Sequence, residues 1–148
     1  MMNARDFLNQ LKKMEDSIKD KLEEVERLKS IALVVTAVSN NVIIEGEKHS
    51  VDRVQSSGSQ QKMADAVCKY VDLENEIDND IDMMIDKKLE VLAVINKLDK
   101  PVQCAVLRKK YVQFKSFRQI AEDLHYSYQY ILESHSQALK NVQKILDS

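Results

Sequence analysis

From Ala4 onward, apolar residues return every seven positions in two interleaved series. Ala4, Leu11, Ile18, Val25 and Ala32 make one; Phe7, Met14, Lys21, Leu28 and Val35 make the other. Side chains three and four residues apart share a helix face, so the series join into one apolar stripe, interrupted only by Lys21. The pattern stops at Val38. A second repeat occupies Met63, Val67, Tyr70, Glu74, Ile77, Ile81, Met84, Lys88, Val91, Ile95 and Leu98. At ~1.5 Å per residue, a helix from about 61 to 98 is nearly 60 Å long. Its stripe needs cover along that length, and the first helix supplies it, antiparallel because one connection joins the two.

That connection is read at about residues 39–60, which hold both glycines, several Ser and Asn, and the β-branched patch Val42, Ile43 and Ile44. A loop with one small strand or 3₁₀ turn fits this composition. Ser57 with Gln60, or Ser59 alone, is suited to cap the second helix. A hairpin folded near residue 48 sets Lys21 opposite Glu74, so that the two polar members of the seams meet.

The last third changes character. Pro101 suits the first turn of a new helix, with Asp99 as its cap. Val102 to Val112 reads as one helix. Ser116 is placed to cap a second from Phe117 to Asp123, and Ser127 a third that runs to about Leu146. Ile120, Leu124, Tyr126 and Ile131 supply the apolar contacts of a helix-turn-helix, and Ala121 is small where the next helix crosses. Tyr111, Phe114 and Phe117 read as further core. Leu132, Leu139 and Leu146 form a row beside Ile131, Ala138 and Ile145, more apolar surface than one small domain needs. The excess packs on the hairpin or on a second chain, and a homodimer is expected. The fold class is therefore all-α: a long, coiled-coil-like antiparallel hairpin over 1–100, then a trihelical helix-turn-helix domain over 101–148.

Composition sharpens this picture. Two Gly and one Pro leave few obligatory turns, and 31% charged against 5% aromatic residues favours long amphipathic helices over a thick core. Residues 1–100 carry 15 Lys+Arg against 20 Asp+Glu, a net of −5; residues 101–148 carry 7 against 4, a net of +3. A basic end on an acidic body points to a polyanion as its partner. With no apolar run near the roughly 20 residues of a membrane span and no apolar signal core, a soluble, cytoplasmic protein is expected, away from membranes. Cys68 and Cys104, among apolar neighbours and without CxxC or nearby His, read as buried thiols in a reducing compartment rather than a disulfide or metal site. The acidic run from Asp72 to Asp86 lacks the glycine and terminal glutamate of a calcium loop and reads as a solvated face. His49, His125 and His135 are scattered, and neither a glycine-rich phosphate loop nor zinc spacing is present. No enzyme, metal or cofactor is expected.

The segments Val106 to Tyr111, Ser116 to Ala121, Ser127 to Ile131 and Gln137 to Lys140 resemble the fourth region of bacterial sigma factors, which reads the upstream promoter element. The match covers roughly residues 102–146. The whole chain resembles small phage and prophage proteins in which a helical hairpin, with a stretch like Asp52 to Gly58, precedes such an end, beside phage late-transcription regulators. No sigma-like core-binding or melting region precedes the helix-turn-helix, so a complete sigma factor is not expected. The resemblance implies a transcription regulator in a bacterial cell that binds double-stranded DNA. Its alternative is an interaction module that binds RNA polymerase or another regulator. The implied DNA-binding residues are Lys115, Arg118, Ser127, Tyr128, Gln129, Leu132, Glu133 and Lys140. Where sigma factors contact bases this chain presents Tyr128, Gln129, Leu132 and Glu133, two of which replace arginines. Gln129 suits adenine, Leu132 a thymine methyl and Glu133 a cytosine amine. His125 takes the turn position where Gly is usual, which predicts a left-handed backbone there. Arg108, Lys109 and Lys110 are suited either to phosphates or to an ordinary solvated face.

Overall fold

The computed structural model describes the backbone of residues 2–44 and 49–148, and the side chains of 2–34, 58 and 60–148. The described residues form five α-helices and one wider turn, with no strand among them: α1 Ala4–Ile44, α2 His49–Ile95, α3 Pro101–Leu107, a π turn Arg108–Val112, α4 Phe117–Leu124 and α5 Tyr128–Asp147.

The hairpin helices are longer than the pattern predicts, and the loop read at 39–60 is helical on both sides of residues 45–48. The caps proposed at Ser57 and Ser59 are therefore not caps; both lie inside α2. Ser, Asn and Gly each cost a helix about 1 kcal/mol or less, whereas Pro costs about 3. No Pro occurs before residue 101. Once a helix is nucleated, adding a poor residue is cheaper than ending it. The β-branched patch at 42–44 falls in the last turn of α1, and its side chains lie outside the described residues.

The chain divides into two compact units, Met1–Asp16 with Asp82–Ser148, and Ser17–Ile81. The linear segments 1–100 and 101–148 follow connectivity; these units follow packing. In the second unit, Ile18, Val25 and Leu28 of α1 and Ile77 of α2 are buried, as the repeats predict, whereas at the start of the α2 seam Ala66 is buried and Val67 only half-buried. Ile81, a seam member by spacing, is exposed. Lys21 does not meet Glu74. Its Nζ lies 2.6 Å from Asp80 and 3.4 Å from Glu76, while Glu74 pairs with Lys29 at 3.7 Å. A lysine stem is long enough to carry its charge out of an apolar seam to flanking carboxylates, so the polar intruder does not report which residue stands opposite. Cys68 is exposed, not buried.

The first unit holds the main core. Ala4, Phe7, Leu8 and Leu11 of α1 share one buried cluster with Val91 and Ile95 of α2, Leu98, Leu107, Tyr111, and Ala138 and Val142 of α5. Leu8 lies off the seven-residue seam yet is fully buried, because this end of α1 is covered by more than its hairpin partner. Leu139, Ile145 and Leu146 pack against the same cluster, so the second half of the surplus apolar row of α5 is met within its own unit, while Leu132 lines a groove. Cys104 donates weakly to the carbonyls of Ile95 and Leu98.

Two local expectations in this unit are corrected. The first residue outside α3 is Lys100, whose side chain makes no cap hydrogen bond; Pro101 has no N–H to satisfy, so Asp99 has less to cap. The helix expected over 102–112 is α-helical only to Leu107 and then widens. Gln113 N–H reaches Arg108 O at 3.0 Å, and Lys115 N–H closes on Lys109 O at 2.9 Å with Phe114 left-handed at φ 59°. The last bond spans one residue more than the six-to-one closure that ends many helices, as the wider turn requires, and it too has a left-handed residue where glycine is usual. Phe114 holds it while its ring packs on the main core beneath the Lys12 ammonium, 5.2 Å away.

Gly58 tests the extended α2. It is exposed, has negative φ, and a Cβ there meets nothing within 4 Å. Gly58→Ala is expected to raise stability by roughly 0.5–1 kcal/mol in urea denaturation, through helix propensity. No gain would mean residue 58 is not in a helix.

Candidate nucleic-acid interface

The helix-turn-helix is built from caps. Ser116 Oγ accepts from Gln119 N–H at 3.2 Å, and Gln119 Oε1 accepts from Ser116 N–H at 3.4 Å, a reciprocal box that starts α4. α4 stops at His125, left-handed at φ 60° and ψ 39° as its position predicts, with Tyr126 N–H donating to Ala121 O at 3.1 Å. Ser127 Oγ then accepts from Tyr130 N–H at 3.1 Å and starts α5. Beneath this turn lies a second cluster: Val106, Ile120, Ala121 and Ile131, with Val102, Phe117 and Leu124 packed on it.

Tyr126 does not belong to that core. It is 44% exposed and its ring lies 4.6 Å from that of Tyr130. Tyr128 and Tyr130 are 47% and 41% exposed, and every residue from His125 to Tyr130 faces solvent, ending at the fully buried Ile131. The left-handed stop turns the chain outward ahead of α5, which leaves Tyr126 outside the cluster although its hydrophobicity suggests otherwise.

At 100° per residue, Tyr128, Gln129, Leu132, Glu133 and Lys140 fall on one face of α5, opposite Ile131, Ala138 and Val142. Tyr128, Gln129, Glu133 and Lys140 are exposed and Leu132 is half-buried. Gln129 Nε2 donates to Glu133 Oε1 at 3.4 Å. Beside this face runs a groove of about 740 Å³ between the start of α3 and the first half of α5, lined by Pro101, Val102, Gln129, Tyr130, Leu132 and Glu133 among others. The sequence reading missed this groove, because nothing in the spacing places Pro101 beside α5.

The cations are mostly engaged. Lys115 and Lys109 both pair with Asp123, at 2.7 and 3.5 Å, and the Lys115 ammonium, first among causes, holds the Asp123 carboxyl below its usual pKa. Lys110 stands over the Phe117 ring at 4.4 Å, and Arg108 donates to Asn96 at 3.4 Å. Arg118 is exposed on α4 and has no ion pair among the described residues. Asp123 was the missed partner. It lies eight residues from Lys115 across a turn, beyond the reach of helix-periodic pairing.

Behind the face, His135 is buried. Its Nε2 and the Tyr111 hydroxyl share a 2.6 Å hydrogen bond, and Phe117 meets the imidazole edge-on at 4.8 Å. Burial first, then the charges of Arg5 and Lys110, push its pKa down to about 4. Burial likewise raises that of Tyr111. His135 lies four residues after Ile131 and three before Ala138, on the inner face, so periodicity alone carried the signal. Among the described residues, no cluster of three or more His, Cys, Asp or Glu stands ready for a metal ion, and no helix is long and apolar enough to cross a membrane.

The sequence matches, over residues 43–143, the family described as "Protein of unknown function (DUF1492)". No curated protein and no solved structure matches the chain.

His135 yields a pH test. Its pKa is about 4 in the fold and 6.5 ordinarily, so the unfolded chain binds more protons between those values. The stability is whole above pH 6.5 and falls as pH drops towards 4, by up to about 1.4 kcal/mol per pH unit. His135→Gln is expected to flatten that slope in urea titrations at stepped pH. An unchanged slope in the variant would assign the effect elsewhere.

Proposed function

The chain belongs to the family of proteins of unknown function DUF1492, and we propose that it is a transcription regulator that docks on duplex DNA through α4 and α5. The single observation that carries this reading is the exposed start of α5. A doubly capped, left-handed turn holds six consecutive exposed residues, three of them tyrosines, above a fully buried Ile131. Large side chains held rigid at a helix start and left in water are suited to a partner surface. A helix of this width fits the major groove, with its first turns at the base edges and the preceding helix across the backbone. The resemblance to the promoter-reading region of sigma factors points the same way. Gln129 and Glu133 reach base edges, Arg118 and Lys140 reach phosphates, and Lys115 contributes charge shared with Asp123. The hairpin then serves for dimerisation or partner contact.

The groove beside α5 favours a second reading, in which a segment of RNA polymerase or of another regulator lies along Pro101, Val102, Tyr130 and Leu132. Single substitutions separate the two. Under the leading reading, Gln129→Ala relaxes preference at one or two base positions, costing roughly 1–3 kcal/mol at the preferred site alone. Arg118→Ala weakens all sequences alike and reduces the slope of log affinity against log salt by about one. Fluorescence anisotropy over a salt series reads both effects. If Gln129→Ala and Leu132→Ala leave DNA binding intact but abolish a polymerase pull-down, the second reading replaces the first.

A further inference from the structure

No Lys or Arg occurs between Arg118 and Lys140, so the start of α5 carries no cation. Guanine offers the major groove two acceptors, N7 and O6, and its usual reader is a bidentate Arg or Lys. The first turns of this face have neither, and the exposed Glu133 carboxylate repels acceptors placed before it. What they offer instead is the Gln129 amide, the Leu132 side chain and the Tyr128 ring with its hydroxyl. The Gln129 amide spends one N–H on Glu133 at 3.4 Å, which leaves its second N–H and its carbonyl oxygen for N7 and N6 of adenine. Tyr128 and Leu132 lie one turn apart on the same face, about 6 Å along the axis. Base pairs are spaced 3.4 Å along each strand, so the two side chains reach bases about two steps apart, where the only apolar group in the major groove is the thymine methyl.

Resting on the duplex-docking reading above, we infer that α5 selects A·T steps, with Gln129 on adenine and Tyr128 and Leu132 on thymine methyl groups. Guanine is disfavoured because no Arg or Lys stands on the first turns of α5 to bind its N7 and O6 together. Arg118 and Lys140, at the two ends of this cation-free stretch, hold phosphates without adding sequence preference.

The test replaces thymine by uracil, which removes the methyl and keeps the pairing and the backbone. The full-length protein first selects sites from a random duplex pool at low salt, and the selected duplex is remade with deoxyuridine in place of thymidine. The selected core is A·T-rich, and affinity falls about fourfold for each contacted methyl lost, the equivalent of one buried methyl group. Tyr128→Ala, at an exposed position the fold does not need, binds the two duplexes more nearly alike than the parent does. A G·C core, or equal affinity of the parent protein for both duplexes, overturns the inference and leaves DNA docking standing. Binding to no duplex at low salt removes the docking reading itself.

Discussion

Ala138 and Val142, on the inner face of α5, share one buried cluster with Phe7, Leu8 and Leu11 of α1 and with Val91 and Ile95 of α2. The geometry of the proposed interface depends on this packing. The second half of α5 is fastened to the hairpin helices, with Ala4 N–H donating to Gln143 Oε1 at 2.7 Å, while its first half rests on Ile120 through Ile131. A 20-residue helix held at both levels presents its outer face as a rigid surface. Rigidity has value there, because recognition by a few side chains tolerates little loss of entropy on binding. Tyr111 joins the two levels, as it belongs to the main core and bonds His135 beside Phe117. The neutral imidazole is a consequence of that burial.

The same packing explains why the basic segment is a poor guide to phosphates. Arg108, Lys109 and Lys110 lie on the π turn, and each finds a partner inside its own unit: Asn96, Asp123 and the Phe117 ring. These contacts bind the turn to its neighbours and leave Arg118 and Lys140 exposed beside the α5 face, with the exposed Lys100 lining the groove next to it. Exposed ion pairs are individually weak, so Lys115 is able to exchange Asp123 for a phosphate. An interface of this kind derives specificity from amide and apolar groups more than affinity from charge.

Much of the architecture was legible because periodicity reports burial. Ala4, Leu11, Ile18 and Val25 sit where a seven-residue repeat puts them, and Ser116, His125 and Ser127 carry turn chemistry that local rules recognise. The rest depended on neighbours distant in sequence. Leu8 is buried because the chain's last helix shares its cluster. Tyr126 is exposed because a left-handed residue precedes it. Lys21 reaches Asp80 through a flexible stem, and Phe114 adopts a backbone that composition does not announce. Residues 39–44 and 49–60 mislead for a different reason: loop-like composition is only a sum of small penalties, and two long helices absorb them. In the candidate site, the exposed face from Tyr128 to Lys140 follows from spacing alone, while the groove and the Asp123 pairs needed the fold.

The most direct test of the central claim is contact. A benzophenone side chain placed at position 128, and as a control at Leu89 on an exposed part of α2, is photoactivated in the presence of duplex DNA. The account predicts crosslinks from position 128 to bases of the duplex and none from position 89. Crosslinks from position 128 that form only to protein, with duplex present in excess, would contradict it.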